Sequence, residues 1–130
     1  MWLASLSDQQ RESLLGLAHN VVVSDGVLDP NEEKMMASFR REMSLPDSLE
    51  VEYLELDGIE IVFDSRRSRV VALLNLLRLS YSDGAFEIEE ECTLKEISHA
   101  FEIDDQEFLL IDNWVRRLVA LEEEAQGLMR

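Results

Sequence analysis

The sequence predicts an all-α, compact helical domain, and three observations lead there. Apolar residues recur at spacings of three and four along most of the chain, which gives a helix one buried face. Helix-start signals, a capping side chain followed three residues later by Glu or Gln, occur at several places. The tripeptide Ser24-Asp25-Gly26 returns 58 residues later as Ser82-Asp83-Gly84, so the chain reads as two pseudo-symmetric helix, Asp-Gly loop, helix repeats.

The first helix is expected over 8–24. Leu14, Leu17, Ala18, Val21 and Val22 share one face, and Ser7 with Gln10 forms a capping box at its start. Gly26 follows as a left-handed terminator. Asp29-Pro30-Asn31-Glu32 combines an N-cap acid, a proline at the first helical position and a Glu three residues after the cap. The helix it opens turns Met35, Met36 and Phe39 inward and frays near Met43, ahead of Pro46. Residues 51–63 read in two ways: Leu54, Leu56, Ile59 and Ile61 alternate around an Asp57-Gly58 hairpin turn, or they belong to a broken pair of helices. Asp64-Ser65 caps the next helix, 66–82, whose later turns are almost wholly apolar and which is expected at the centre. Asp83-Gly84 ends it. Another helix opens near Glu87 and carries Cys92, Leu94, Ile97 and Phe101. The last starts with a second capping-box pattern, Asp104-Asp105-Gln106-Glu107, and runs through Trp114 to about Glu124.

The whole chain, 1–130, is expected to be one domain, with repeat one over 8–56 and repeat two over 65–124. At the offset of 58, Leu28 matches Phe86, Asp29 matches Glu87, Glu32 matches Glu90, Glu33 matches Glu91, Met36 matches Leu94, Phe39 matches Ile97 and Leu45 matches Ile103. Each half alone leaves an apolar face uncovered. The halves are therefore expected to pack about an approximate two-fold axis, with their acidic loops in related positions.

The phrases Val-Val-Val-Ser-Asp-Gly-Val-Leu-Asp-Pro-Asn-Glu-Glu (21–33) and Leu-Ser-Tyr-Ser-Asp-Gly-Ala-Phe-Glu-Ile-Glu-Glu-Glu (79–91) resemble the repeated Ala-Asp-Gly, spacer, Glu signature of the TerB-like family. That family is named for tellurite resistance and also occurs as a domain of some membrane-anchored J-domain co-chaperones. Ser24 and Ser82 replace its usual Ala. The resemblance covers about residues 10–124. It implies an all-helical domain with a cation site built from acidic loop residues, and it favours the helical reading of 51–63.

Composition narrows the function. Twelve Lys and Arg stand against 28 Asp and Glu in 130 residues, a formal charge of −16. Such a field repels nucleic acid and anionic lipid surfaces and attracts cations or the basic surface of a protein partner. The lone Cys92 allows no internal disulfide and no cysteine zinc cluster, and the amino terminus carries no secretory signal pattern. A cytoplasmic location is expected. The longest apolar run, 70–79, is broken by Asn75 and Arg78 and falls far short of the roughly 20 residues needed to span a bilayer.

Carboxylates concentrate in the two loops: Asp25, Asp29, Glu32 and Glu33 in one, Asp83, Glu87, Glu89, Glu90 and Glu91 in the other, with no Lys or Arg among them. Oxygen ligands of this kind suit Ca, Mg or Mn, whereas Zn sites usually contain His or Cys. The candidate metal ligands are Asp25, Glu32, Asp83 and Glu90. An EF-hand is excluded, because aligning Asp25-Gly26 or Asp83-Gly84 with its fifth and sixth positions puts Val21 and Val23, or Leu79 and Tyr81, where ligands one and three belong. The same acids also have a purely structural account as helix caps and turn formers.

Cys92 and His99, two helical turns and about 10 Å apart, cannot form a catalytic dyad. Cys92 is expected as a partly buried structural thiol, and His19 and His99 as surface or helix-flanking residues. No zinc-protease, phosphate-loop or nucleophile-elbow motif occurs. Met35, Met36 and Met43 read as core or interface filling and Trp114 as an apolar anchor near the chain end. Arg66, Arg67 and Arg69 form a basic cluster read as a solvated face, with pairing to the opposite half's carboxylates or docking of an acidic partner as the alternatives. The expected function is a non-enzymatic module that presents an acidic surface, with or without a bound divalent cation, to partner proteins; the resemblance implies a stress or tellurite-resistance-like response. The alternatives are a metal-dependent hydrolase using the paired acidic loops and a plain dimerisation scaffold. Monomer and homodimer are both open.

Overall fold

Local capping chemistry sets where the helices begin. In the computed structural model, which describes residues 1–24, 26, 29–82 and 88–130, a short 3-10 turn at Leu3–Ser5 precedes helix α1 at Asp8–Val23. Ser7 Oγ accepts the Gln10 backbone N–H at 3.2 Å, and Gln10 Oε1 accepts the Ser7 N–H at 3.0 Å. Helix α2, Pro30–Glu42, opens from Asp29 with the expected proline and capping box. Helix α3 is a single turn, Ile59–Val62. Helix α4, Arg66–Ser80, is capped by Ser65 with Ser68. Helices α5, Ile88–Ala100, and α6, Asp105–Leu128, complete the chain. At the start of α6 only half of the expected capping box forms. Asp104 accepts the Glu107 N–H at 2.8 Å, but the Glu107 carboxylate is drawn away by a short ion pair with Arg66.

Helix α4 is the central element, as its apolar later turns require. It packs against α1, α2, α5 and α6, while α1 also contacts α2, α3 and α5. Ala72, Leu73, Leu76, Leu77 and Leu79 are fully buried among Leu14, Leu17, Val21, Phe39, Met43, Leu94, Ile97 and Val115. Phe63 and Phe101 meet edge to face, with ring centroids 5.2 Å apart, an arrangement that aromatic quadrupoles favour. All regular structure among the described residues is helical.

Residues 51–58 are neither a hairpin nor a helix. This segment runs as irregular chain across α1, where Asn20 holds it by two bonds: Nδ2 donates to Leu54 O at 2.8 Å and Oδ1 accepts Leu54 N–H at 2.9 Å. The buried amide of Asn20 takes the place of a strand partner for the Leu54 backbone. Gly16 allows the approach, since a Cβ at that position would lie 3.0 Å from Leu54 Cβ. Only the single turn of α3, started by Gly58 at φ 80°, agrees with the helical reading.

Several features recur at a separation of 58. The bounds of α5 are those of α2 shifted by 58, and the N-caps Ser7 and Ser65 are 58 apart. Both α2 and α5 close with a Schellman motif: Leu45 N–H donates to Arg40 O at 2.8 Å, and Ile103 N–H to Ser98 O at 3.0 Å. The left-handed residues of these motifs are Ser44 (φ 57°) and Glu102 (φ 61°), neither of them glycine.

Candidate functional site

The two acidic segments leave α1 and α4 through the same local device. Ser24 Oγ donates to Val21 O at 2.6 Å, and Ser82 Oγ donates to Leu79 O at 2.6 Å. In each case the hydroxyl ties the last turn of the helix to the start of the loop. Gly26 then adopts φ 75° and donates its N–H to Val23 O, which a Cβ would make costly. The candidate ligands Asp25 and Asp83 lie outside the described residues, as do Leu28, Phe86 and Glu87 of the repeat alignment.

The other two candidate ligands are described, and both are buried. Glu32 is 1% exposed and Glu90 0%, whereas Glu33 and Glu89 beside them are exposed. Glu32 takes part in the capping box, its Oε1 accepting the Asp29 N–H at a long 3.4 Å, while Asp29 Oδ1 accepts the Asn31 N–H at 2.7 Å. For Asp29 and Glu32 the capping account holds. It does not require burial, because a capping glutamate does its work at the surface. Removing a carboxylate from water costs several kcal/mol unless charge or hydrogen bonds compensate it, and both buried glutamates, each in the first turn of its helix, have such partners in the fold. Glu91, by contrast, reaches Lys95 at 3.5 Å across one turn. Among the described residues no group of three or more His, Cys, Asp or Glu side chains is placed to hold a metal.

A polar network next to the second loop was not anticipated from the sequence. Tyr81 Oη donates to Asp112 Oδ1 at 2.6 Å, Arg116 Nε donates to Asp112 Oδ2 at 3.0 Å, and the guanidinium lies 5.3 Å from the Tyr81 ring centroid. Burial, then the bond to Asp112 and its charge, push the Tyr81 hydroxyl well above the usual tyrosine value. The bond to Asp112 likewise raises Arg116. The only sequence signal was the Asp112, Arg116 spacing of four on one helix. Tyr81 joins the pair through tertiary packing alone.

Other expected residues are redistributed. Cys92 is exposed rather than partly buried, because α5 turns Leu94 and Ile97 inward and leaves position 92 on its outer face. His99 is exposed and 3.0 Å from Asp105. The three arginines at the start of α4 do not act as one cluster. Arg66 pairs with Glu107, Arg69 donates to the carbonyls of Phe63 and Glu60 at 2.6 and 2.7 Å and so closes α3, and Arg67 stays exposed. Trp114 is an anchor as expected, its ring 6.2 Å from that of Trp2.

No protein-family model, curated protein or solved structure matches this chain. Among the described residues no helix is long and apolar enough to cross a membrane.

Proposed function

We propose that the protein is a non-enzymatic, cytoplasmic helical module of TerB-like kind, a duplicated helix, Asp-Gly loop, helix unit that uses its acidic loops to hold a divalent cation and to dock a protein with a basic surface. The observation that carries this reading is the burial of Glu32 and Glu90 at the same position of α2 and α5, one turn past each Asp-Gly loop. The 58-residue recurrence of caps, helix ends and Schellman closures supports the duplication. Carboxylate oxygens are hard donors, and a set of Asp25, Glu32, Asp83 and Glu90 suits Ca, Mg or Mn better than Zn. The bound ion would supply positive charge that offsets the mutual repulsion of the loop acids. With the loops so held, the remaining exposed carboxylates present a fixed negative face to a basic partner.

Calorimetric titration of chelator-treated protein with each ion, read beside the melting temperature, tests the proposal. Saturable binding that raises the melt, and that disappears in the Asp25→Asn/Asp83→Asn double variant, is expected. An unchanged melt at millimolar ion would return the acids to capping alone.

A further inference from the structure

Helix α6 carries a second surface, unconnected with the acidic loops. Its 24 residues extend about 36 Å. Phe108, Asp112 and Val115 are buried against the body of the protein, while every residue from Ala120 onward is exposed. At 100° per residue, Leu110, Trp114, Leu118, Leu121, Ala125 and Leu128 fall within an arc of about 80°. The carboxyl half of this arc is uncovered, while Leu118 is half-buried and Trp114, with Ile111 beside it, is half-buried against the body of the protein. Leu110, Leu121 and Leu128 are 70%, 61% and 85% exposed. Together with Ile111, the spacing of Trp114, Leu118, Leu121, Ala125 and Leu128 alternates three and four, which is the seam of a coiled coil.

We infer that this seam is the interface of a homodimer in which α6 of one copy lies antiparallel to α6 of a second copy. The charge order along the helix identifies the occupant. Arg117 precedes the seam's midpoint and Glu122-Glu123-Glu124 follow it. With Leu118 set opposite Leu121 of the second copy, Trp114 faces Ala125, Ile111 faces Leu128, and Arg117 stands opposite Glu124. Large residues meet small ones in the layer that contains the tryptophan, and the basic stretch of each helix meets the acidic stretch of the other. A parallel pairing would place the two triple-glutamate segments side by side. The charge of −16 per copy opposes association at long range, so the apolar layers supply the driving force and the Arg117, Glu124 pairs set the direction.

Light scattering coupled to size exclusion, with sedimentation equilibrium at physiological salt, decides the matter. The full chain is expected at twice its 15.0 kDa mass. Leu121→Asp and Leu128→Asp are expected to yield monomers with unchanged helical circular dichroism, since both side chains are exposed within one copy. Arg117→Glu and Glu124→Arg should each weaken the dimer about five- to tenfold, and the double variant should recover it. A chain that remains monomeric at its highest clear concentration overturns the proposal, even if its α6 face captures a foreign helix. A dimer that survives Leu121→Asp also overturns it, and a double charge variant that recovers nothing overturns the antiparallel register.

Discussion

Glu32 and Glu90, 58 residues apart, sit at the same place in the first turns of α2 and α5 and are both excluded from solvent. The chain has 28 acidic residues, so solubility does not need these two inside. Replacing Glu90 by Gln keeps shape and removes charge. In chelated protein Glu90→Gln is expected to melt below the wild type, because it weakens the interaction that the buried carboxylate makes. At a hundredfold excess of ion over its dissociation constant the wild type should gain about 2.7 kcal/mol and the variant much less. An equal loss in the variant with and without ion would assign Glu90 a purely structural bond.

Glu42 fastens the amino end of the chain. Its Oε1 accepts the Met1 amino group at 3.0 Å and its Oε2 the Leu3 N–H at 2.8 Å, while buried Asn75 bonds both the Met1 amine and the Met1 carbonyl. Burial opposes ionisation of Glu42, but these bonds and the nearby positive charges outweigh it and hold its pKa below the ordinary 4.5. A depressed carboxylate contributes stability that is complete above the unfolded value and is lost as pH falls through the folded one. Glu42→Gln should therefore cost about 1 kcal/mol at pH 7, a modest figure because the carboxylate is a third exposed. The gap between variant and wild type should close as denaturant melts are repeated below about pH 4.5.

Tyr81 ionises late. The chain has two tyrosines, and ultraviolet titration should resolve a delayed step that belongs to Tyr81. Tyr81→Phe should abolish the delayed step and cost about 1–2 kcal/mol by removing a partner of the buried Asp112. The stability that neutral Tyr81 contributes is complete below its unfolded value near 10 and falls as pH rises above it.

Gly16→Ala sets helix propensity against packing. An alanine in mid-helix would ordinarily gain about 0.5–1 kcal/mol. Here its Cβ would stand 3.0 Å from Leu54 Cβ, and Asn20 pins the Leu54 backbone by two bonds. A net loss of about 1 kcal/mol is expected, and Asn20→Ala in the same background should relieve part of it in a double-mutant cycle.

Ser44→Gly and Glu102→Gly should each stabilise by about 0.5–1 kcal/mol, since both residues hold left-handed backbone that glycine adopts freely. The two gains should add in thermal melts, the sites lying at the ends of different helices.

The sequence by itself determined the helical class, the starts of α1, α2 and α4, the central place of α4 and the alignment that joins Glu32 to Glu90. Each of these rests on interactions within four residues or on a periodic pattern, and such interactions survive in the primary order. Tertiary structure alone decided the path of residues 51–58, because the amide that holds Leu54 comes from Asn20, 34 residues away. It also decided that Glu90 is buried while Cys92, two residues on, is exposed, that Tyr81 reaches Asp112, and that α6 runs on to Leu128 with one apolar face uncovered. A helical repeat says which residues share a face. Which face meets another element depends on the angles at which helices cross, and those arise only when the whole core is assembled.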